Sequence, residues 1–402
     1  MEKPAHSTTA PAGKLGRLTS IDAYRGLVMF LMVAEALHLG RVARAFPESG
    51  FWAFLASQQS HREWVGCSLH DLIQPSFTFL VGVALPFSIA SRVAKGQAFG
   101  TMLGHAIWRS LLLIGLGIFL RSVGAPRTNF TFEDTLTQIG LGYSFAFLIA
   151  FSQRRMQWTA LGLILAGSWA AWALYPLPPA TLDWRTVGVP PDWAHHLTGF
   201  AQHWEKNWNL GTAFDQWFMN LFPREKPFLY NGGGYLTLSF IPTLGTMLFG
   251  LMAGQWLRTE RTPPEKALLL VKAGAICFAV SAALNFLGIN PIVKRIWTPA
   301  WTIFSAGWCF IFMAAFYWMI DLKGHRKWAF PLVVIGMNSI AIYCISHLID
   351  GFILGTIRTH FGRDIFNLFG TEYAPLLSGT ALIVVLWLIL YWMYRRQIFL
   401  RV

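Results

Sequence analysis

Between positions 61 and 75 the chain reads His61-Arg62-Glu63-Trp64-Val65-Gly66-Cys67-Ser68-Leu69-His70-Asp71-Leu72-Ile73-Gln74-Pro75. The segment sets an imidazole and a carboxylate close together in sequence. An imidazole changes charge near neutral pH, so it suits proton transfer or nucleophilic attack. A carboxylate beside it can orient the ring. Ser68 and Asp71 are residue types that start helices, and Pro75 suits a first turn. A loop histidine on its own is more often just solvated, so the neighbours of His61 have to decide its role.

Other chemistry-bearing groups fall inside long apolar runs, where ionisable side chains are expensive and each is a site candidate. Asp22 and Arg25 are three apart and share a helix face, so they can neutralise each other. Glu35 and His38 repeat that spacing, and the carboxylate there could set the tautomer of the imidazole. Arg109 is placed to counter a buried carboxylate such as Asp22 or Asp134, or to grip a phosphate or an amide entering between helices. Gln138, Asn285, Asn338 and His347 are hydrogen-bonding groups at depth, a kind that commonly joins helices.

The elements that position these groups follow from composition. The chain has 402 residues, is 54% hydrophobic and only 13% charged, and has a mean hydropathy of +0.46, which is too apolar for a soluble domain of its length. Apolar runs of spanning length are expected at about 20–39, 71–90, 105–121, 134–151, 158–176, 235–257, 267–287, 300–320, 330–350 and 376–394. The expected fold is all-α: about ten transmembrane helices in a single domain over 1–402, with a tail at 1–19 and a long loop at 177–234. The 19 Trp suit interfacial belts. Trp184, Trp193, Trp204, Trp208 and Trp217 in the long loop argue against disorder there. Four cysteines with no paired spacing give neither a disulfide framework nor a metal site. The net charge of +13 is spread over short loops, so it reads as topology rather than nucleic-acid binding. Counting Lys and Arg in alternate loops puts 16 on the side of the termini and 9 on the other. Both termini are therefore expected to be cytoplasmic, and His61 exoplasmic.

The segment from His61 resembles the transmembrane acetyltransferase family of heparan-alpha-glucosaminide N-acetyltransferase and its bacterial relatives. His61, Trp64, Gly66, Ser68, Asp71, Leu72 and Pro75, then Phe77, Phe79, Val81 and Gly82, occupy the places of the family pattern. Ser20-Ile21-Asp22-Ala23-Tyr24-Arg25-Gly26, Trp108-Arg109-Ser110, Leu136-Thr137-Gln138-Ile139-Gly140, Lys294-Arg295-Ile296-Trp297-Thr298 and Gly336-Met337-Asn338-Ser339 are similar to further family motifs. The resemblance implies transfer of acetyl from cytoplasmic acetyl-CoA to the amino group of a glucosamine-type sugar on the exoplasmic side of a bacterial inner membrane. In that reading His61 and Asp71 are catalytic. Arg109, Gln138, Asn338, Lys294 and Trp297 contact the donor, and Asp22, Arg25, Glu35, His38 and Trp64 contact the acceptor. The implied partners are the donor, the sugar and the lipid bilayer, with a homodimer as one option and neither metal nor nucleic acid. Three departures fall on the acceptor side, one of them an outer loop before His61 that is longer than in many relatives. Ala34-Glu35-Ala36-Leu37-His38 replaces a stretch that often holds Asn, and glycines 232–234 replace a usual acidic residue. An O-acyltransferase or a secondary transporter are the rival readings.

Overall fold

The computed structural model describes residues 18–400. The expected tail at 1–19 lies outside them except for its last two positions. Fifteen α-helices carry the fold: α1 (Thr19–Val33), α2 (Leu39–Ala45), α3 (Gly50–Gln59), α4 (Ile73–Val93), α5 (Phe99–Ser122), α6 (Thr135–Ala150), α7 (Arg154–Ala173), α8 (Leu210–Phe218), α9 (Phe240–Leu257), α10 (Pro263–Phe286), α11 (Pro299–Phe316), α12 (Phe330–Met337), α13 (Ser339–Leu348), α14 (Asp350–Phe361) and α15 (Ala374–Arg395). No strand occurs among the described residues. Among the described residues seven helices can cross a membrane by length and composition, or eight when α12 and α13, bent by 77° at Asn338, are taken as one span. The chain is therefore an α-helical integral membrane protein. Ten spans were expected. The other two places hold α6, which at 16 residues is short, and α7, whose N-terminal end carries Arg154, Arg155 and Gln157.

Lipid supplies no hydrophobic drive between helices, so close packing has to hold the bundle together. At the contact of α4 with α9, a Cβ on Gly250 would lie 2.0 Å from the Phe79 carbonyl oxygen, and one on Gly82 would lie 2.0 Å from that of Met247. Glycine is needed there because the backbones themselves touch. Gly250→Leu is expected to force α4 and α9 apart, a cost of ~3 kcal/mol or more. It should abolish monodisperse protein after detergent extraction. Gly162→Leu on α7, where a Cβ meets open space, is the control that should extract normally.

The 177–234 segment is built rather than loose. It holds two 3₁₀ turns, Trp184–Val187 and Gly199–Trp204, then α8 and a third 3₁₀ turn, Met219–Leu221. Trp64, Trp172, Trp204, Leu236, Val293 and Ile296 form a buried apolar cluster beneath it. Residues of α1, α4, α5, α6 and α13, with the loops that carry His61, Asn231 and Lys294, surround one cleft.

Candidate active site

Each side chain of the cleft is fixed by its backbone. Asp71 lies in the 3₁₀ turn His70–Leu72 that leads into α4 and is fully buried. Its Oδ2 accepts hydrogen bonds from the backbone N–H of Arg62 (3.2 Å) and of Ser68 (3.0 Å), and Ser68 Oγ lies 3.0 Å from the same oxygen. Its Oδ1 faces His61 Nδ1 at 2.8 Å and Lys294 Nζ at 3.3 Å. Lys294 reaches this point because two loops are laced together. Gly66 N–H donates to the Ile292 carbonyl at 3.1 Å, and Val65 pairs with Val293 in a single antiparallel bridge. Gly66 holds φ +117°, which only glycine takes without strain. On the other side of Lys294 a tight turn closes through Trp297 N–H to the Lys294 carbonyl at 2.8 Å, with Trp297 at φ +50°.

These distances assign the tautomer. A carboxylate oxygen 2.8 Å from Nδ1 requires a proton on Nδ1, so Nε2 carries the free lone pair. Lys294 Nζ, 3.0 Å from Nδ1, then donates to Asp71 rather than to the ring. The His61 side chain is 36% exposed, whereas Asp71 is 1% and Lys294 7% exposed. The imidazole thus opens outward, and the charged groups beside it stay dry. Burial pulls the Lys294 ammonium below the usual lysine range, against the opposing pull of Asp71. A second imidazole, His70, lies with its ring 4.5 Å from that of His61, and its Nε2 is 4.0 Å from Glu35 Oε2. Burial pushes the nearby Cys67 thiol up to about 12, so it stays a thiol at neutral pH.

His61, His70 and Lys294 line a cavity of about 480 Å³ together with Glu35, Arg121, Glu133, Asn231, Tyr235, Tyr343 and His347. Of the residues expected from sequence, His61, Asp71, Lys294 and Glu35 come together here. Glu35 faces His70 rather than His38, which corrects the expected pair. Trp297 backs Lys294, buried, with Nε1 donating to Thr246 Oγ1 at 3.3 Å. Gln138 donates to the carbonyls of Phe132 (2.6 Å) and Thr237 (3.1 Å), so it supports the wall instead of lining it. Trp64 is 1% exposed and donates to the Trp204 carbonyl at 3.1 Å. Its ring anchors the long segment and has no open face for a sugar.

The remaining expected residues lie elsewhere. Asp22 and Arg25 pair at 3.6 Å near the far end of α1, about 20 Å from Glu35 at 1.5 Å per residue. Asn338 clamps the C-terminal tail, its amide donating to the Ile398 carbonyl (3.0 Å) and its Oδ1 accepting from Leu400 N–H (3.1 Å). Arg109 lies over the Tyr143 ring, 4.7 Å from its centroid, and its expected partner Asp134 caps α6 instead. His38 belongs to a second cavity. Sequence reasoning passed over Glu133, Arg121, Asn231 and Tyr235. The Glu133-Asp134 doublet reads equally well as a helix start, and Asp134 is indeed the cap.

Asp215 on α8 fixes the wall from behind, its Oδ2 accepting from Thr237 N–H at 3.0 Å while Oδ1 is buried without a hydrogen-bond partner. Burial raises its carboxyl from the ordinary 3.8 to about 6. Between those values the folded chain binds more protons than the unfolded one, so stability falls as pH rises through that window and levels off above about 6. Asp215→Asn, which keeps an acceptor for Thr237, is expected to remove this slope and to raise Tm at pH 7. Parallel Tm profiles of the two proteins from pH 4 to 7 would contradict it.

No family model matches the chain. Among curated proteins, heparan-alpha-glucosaminide N-acetyltransferase of Homo sapiens is 22% identical over 425 aligned positions, covering 96% of this chain and 60% of that protein. The Mus musculus protein of the same name is 23% identical over 434 positions, with the same coverage. This chain thus spans 60% of the length of those relatives. A similarity that runs through nearly every helix of the chain, at 22–23% identity, supports the heparan-alpha-glucosaminide N-acetyltransferases as its suspected relation.

Proposed function

We propose that this protein is a transmembrane acyltransferase that moves acetyl from acetyl-CoA to the amino group of a glucosamine-type sugar held in the 480 Å³ cleft. The observation that carries the reading is the 2.8 Å contact of His61 with the buried Asp71, on a ring that opens to the cleft. The named activity of the relatives agrees with it. The acceptor nitrogen attacks the thioester carbonyl, the C–S bond breaks, and the sulfur leaves as a thiolate. The proton lost from nitrogen passes to His61 Nε2 and then to that thiolate. Asp71 holds the ring and offsets the imidazolium charge. Attack by Nε2 itself, with acetyl-imidazole passing the acyl group on, uses the same atoms.

On the donor side, a smaller cavity of about 180 Å³ lies between α4, α5 and α6 and is lined by Arg92, His105 and Arg109. Arg109 Nε is buried there without a hydrogen-bond partner, which fits a missing anionic or amide group. On α4 the two cavities are about 12 Å apart, from Phe77 to Leu85. Donor entry from the cytoplasmic end and an acceptor on the exoplasmic face follow from the Lys and Arg count, with both termini cytoplasmic. The acceptor class is tested by offering glucosamine and glucose to purified protein with acetyl-CoA and identifying the product by mass spectrometry. N-acetylation of glucosamine alone is expected. Acetylation of both sugars on oxygen would replace this reading with an O-acyltransferase.

A further inference from the structure

The spanning helices α10 and α11 touch at a pair of glycines. A Cβ on Gly274 would lie 3.0 Å from the Gly307 carbonyl oxygen, and one on Gly307 would lie 3.2 Å from that of Gly274. Away from that contact, toward the start of α10 and the end of α11, the two helices leave a trough of about 650 Å³ between them. Pro264, Leu268 and Val271 line one side of it, and Ile311, Ala315 and Trp318 the other. Leu268, Val271 and Trp318 are 43–52% exposed, so the trough opens sideways, where a spanning helix meets lipid.

Lys323 is the one charged group in this lining. α11 runs into a π-helical turn, Tyr317–Leu322, closed by Lys323 N–H donating to the Trp318 carbonyl five residues back at 2.9 Å. The lysine side chain lies back over Trp318, with Nζ 5.5 Å from the ring centroid. Nζ makes no hydrogen bond or ion pair among the described residues, and a ring face leaves ammonium N–H groups free for an anion. Between 258 and 265 and between 323 and 327 the chain carries Arg258, Arg261, Lys323, Arg326 and Lys327 against Glu260 and Glu265. Glu265 caps α10, its Oε2 accepting from Thr262 N–H at 2.9 Å. Asp321, close to Lys323 in the chain, caps α1, accepting from the N–H groups of Thr19 (3.2 Å) and Ser20 (3.3 Å). The mouth is therefore cationic above an apolar trough, which complements an acyl chain that carries an anionic headgroup.

We propose that this trough is a binding site for one anionic phospholipid, with an acyl chain between α10 and α11 and the headgroup phosphate on Lys323. Trp318 then sits at headgroup level, where indole rings are favoured. The trough has the size of a small-ligand site, roughly 300–1,000 Å³. It shares no residue with the His61 cleft, so the lipid site is independent of the acyl-transfer chemistry.

The test is native mass spectrometry of the full chain in detergent, titrated with phosphatidylglycerol or with phosphatidylcholine of the same acyl chains. The wild type is expected to bind one phosphatidylglycerol about fivefold more tightly than phosphatidylcholine, or better. Lys323→Glu should erase that preference. Ala315→Trp, which fills the trough from an exposed wall position, should weaken binding of both lipids about tenfold. Arg155→Glu, at an exposed cation near the start of α7, is the control and should keep the preference. Equal binding of the two lipids by wild type, a preference that survives Lys323→Glu, binding unchanged in Ala315→Trp, or an equal loss of preference in Arg155→Glu would each overturn the site. So would displacement of bound phosphatidylglycerol by inorganic phosphate at matched ionic strength, which would make Lys323 a site for the free anion.

Discussion

Purified His61→Ala is expected to lose at least a hundredfold in acetyl transfer while its Tm stays within a few degrees of wild type. A positioned general base contributes about 10²- to 10⁴-fold, and a nucleophile more. The ring is 36% exposed and holds no helix in place, so its removal leaves a space that water can fill. Donor affinity should survive, because the Arg92, His105 and Arg109 cavity lies farther down α4. Near-normal turnover in a protein that melts normally would remove His61 from the chemistry. A loss of turnover that merely follows a loss of folded protein would make it structural.

The second large effect belongs to Asp71. Asp71→Asn keeps the shape but not the charge, so His61 can take the wrong tautomer and Lys294 is left as a buried ammonium without its counter-ion. Turnover should fall on the order of 10³-fold. Stability should fall by about 3 kcal/mol, the typical cost of removing one partner of a buried pair. Lys294→Met placed on top of Asp71→Asn removes the stranded charge. The double variant should therefore recover most of the lost stability and none of the lost turnover. This non-additivity in a double-mutant cycle separates the electrostatic role of Asp71 in folding from its role in orienting His61. Recovery of turnover together with stability would mean that Asp71 acts only by holding the fold.

Much of the site was legible in the sequence because its central part is local. His61 and Asp71 are ten residues apart on one turn of chain, and the types between them, with Gly66 and Ser68, are those the turn needs. Lys294 is 233 positions away from His61. Its place beside the imidazole comes from the pairing of Val65 with Val293, which the sequence does not announce. The rule that polar groups at membrane depth mark function placed Arg109 in a cavity but misplaced Asn338. Asn338 satisfies the backbone of the folded-back tail at the break between α12 and α13. Trp64 misled for a related reason. An aromatic residue in a polar loop can serve the loop's own core, and here it fills the cluster beneath the long segment. The helices were read from apolar length alone, and that signal is weakest for α6 and α7, which are short or polar at one end.

The most direct measurement mixes purified wild-type protein in proteoliposomes with acetyl-CoA and glucosamine and follows free CoA and N-acetylated sugar in the same samples. The account predicts that both appear in equal amounts, that neither forms without protein, and that neither forms with His61→Ala. Glucosamine that crosses the bilayer unmodified while acetyl-CoA stays intact would contradict it and identify the protein as a transporter.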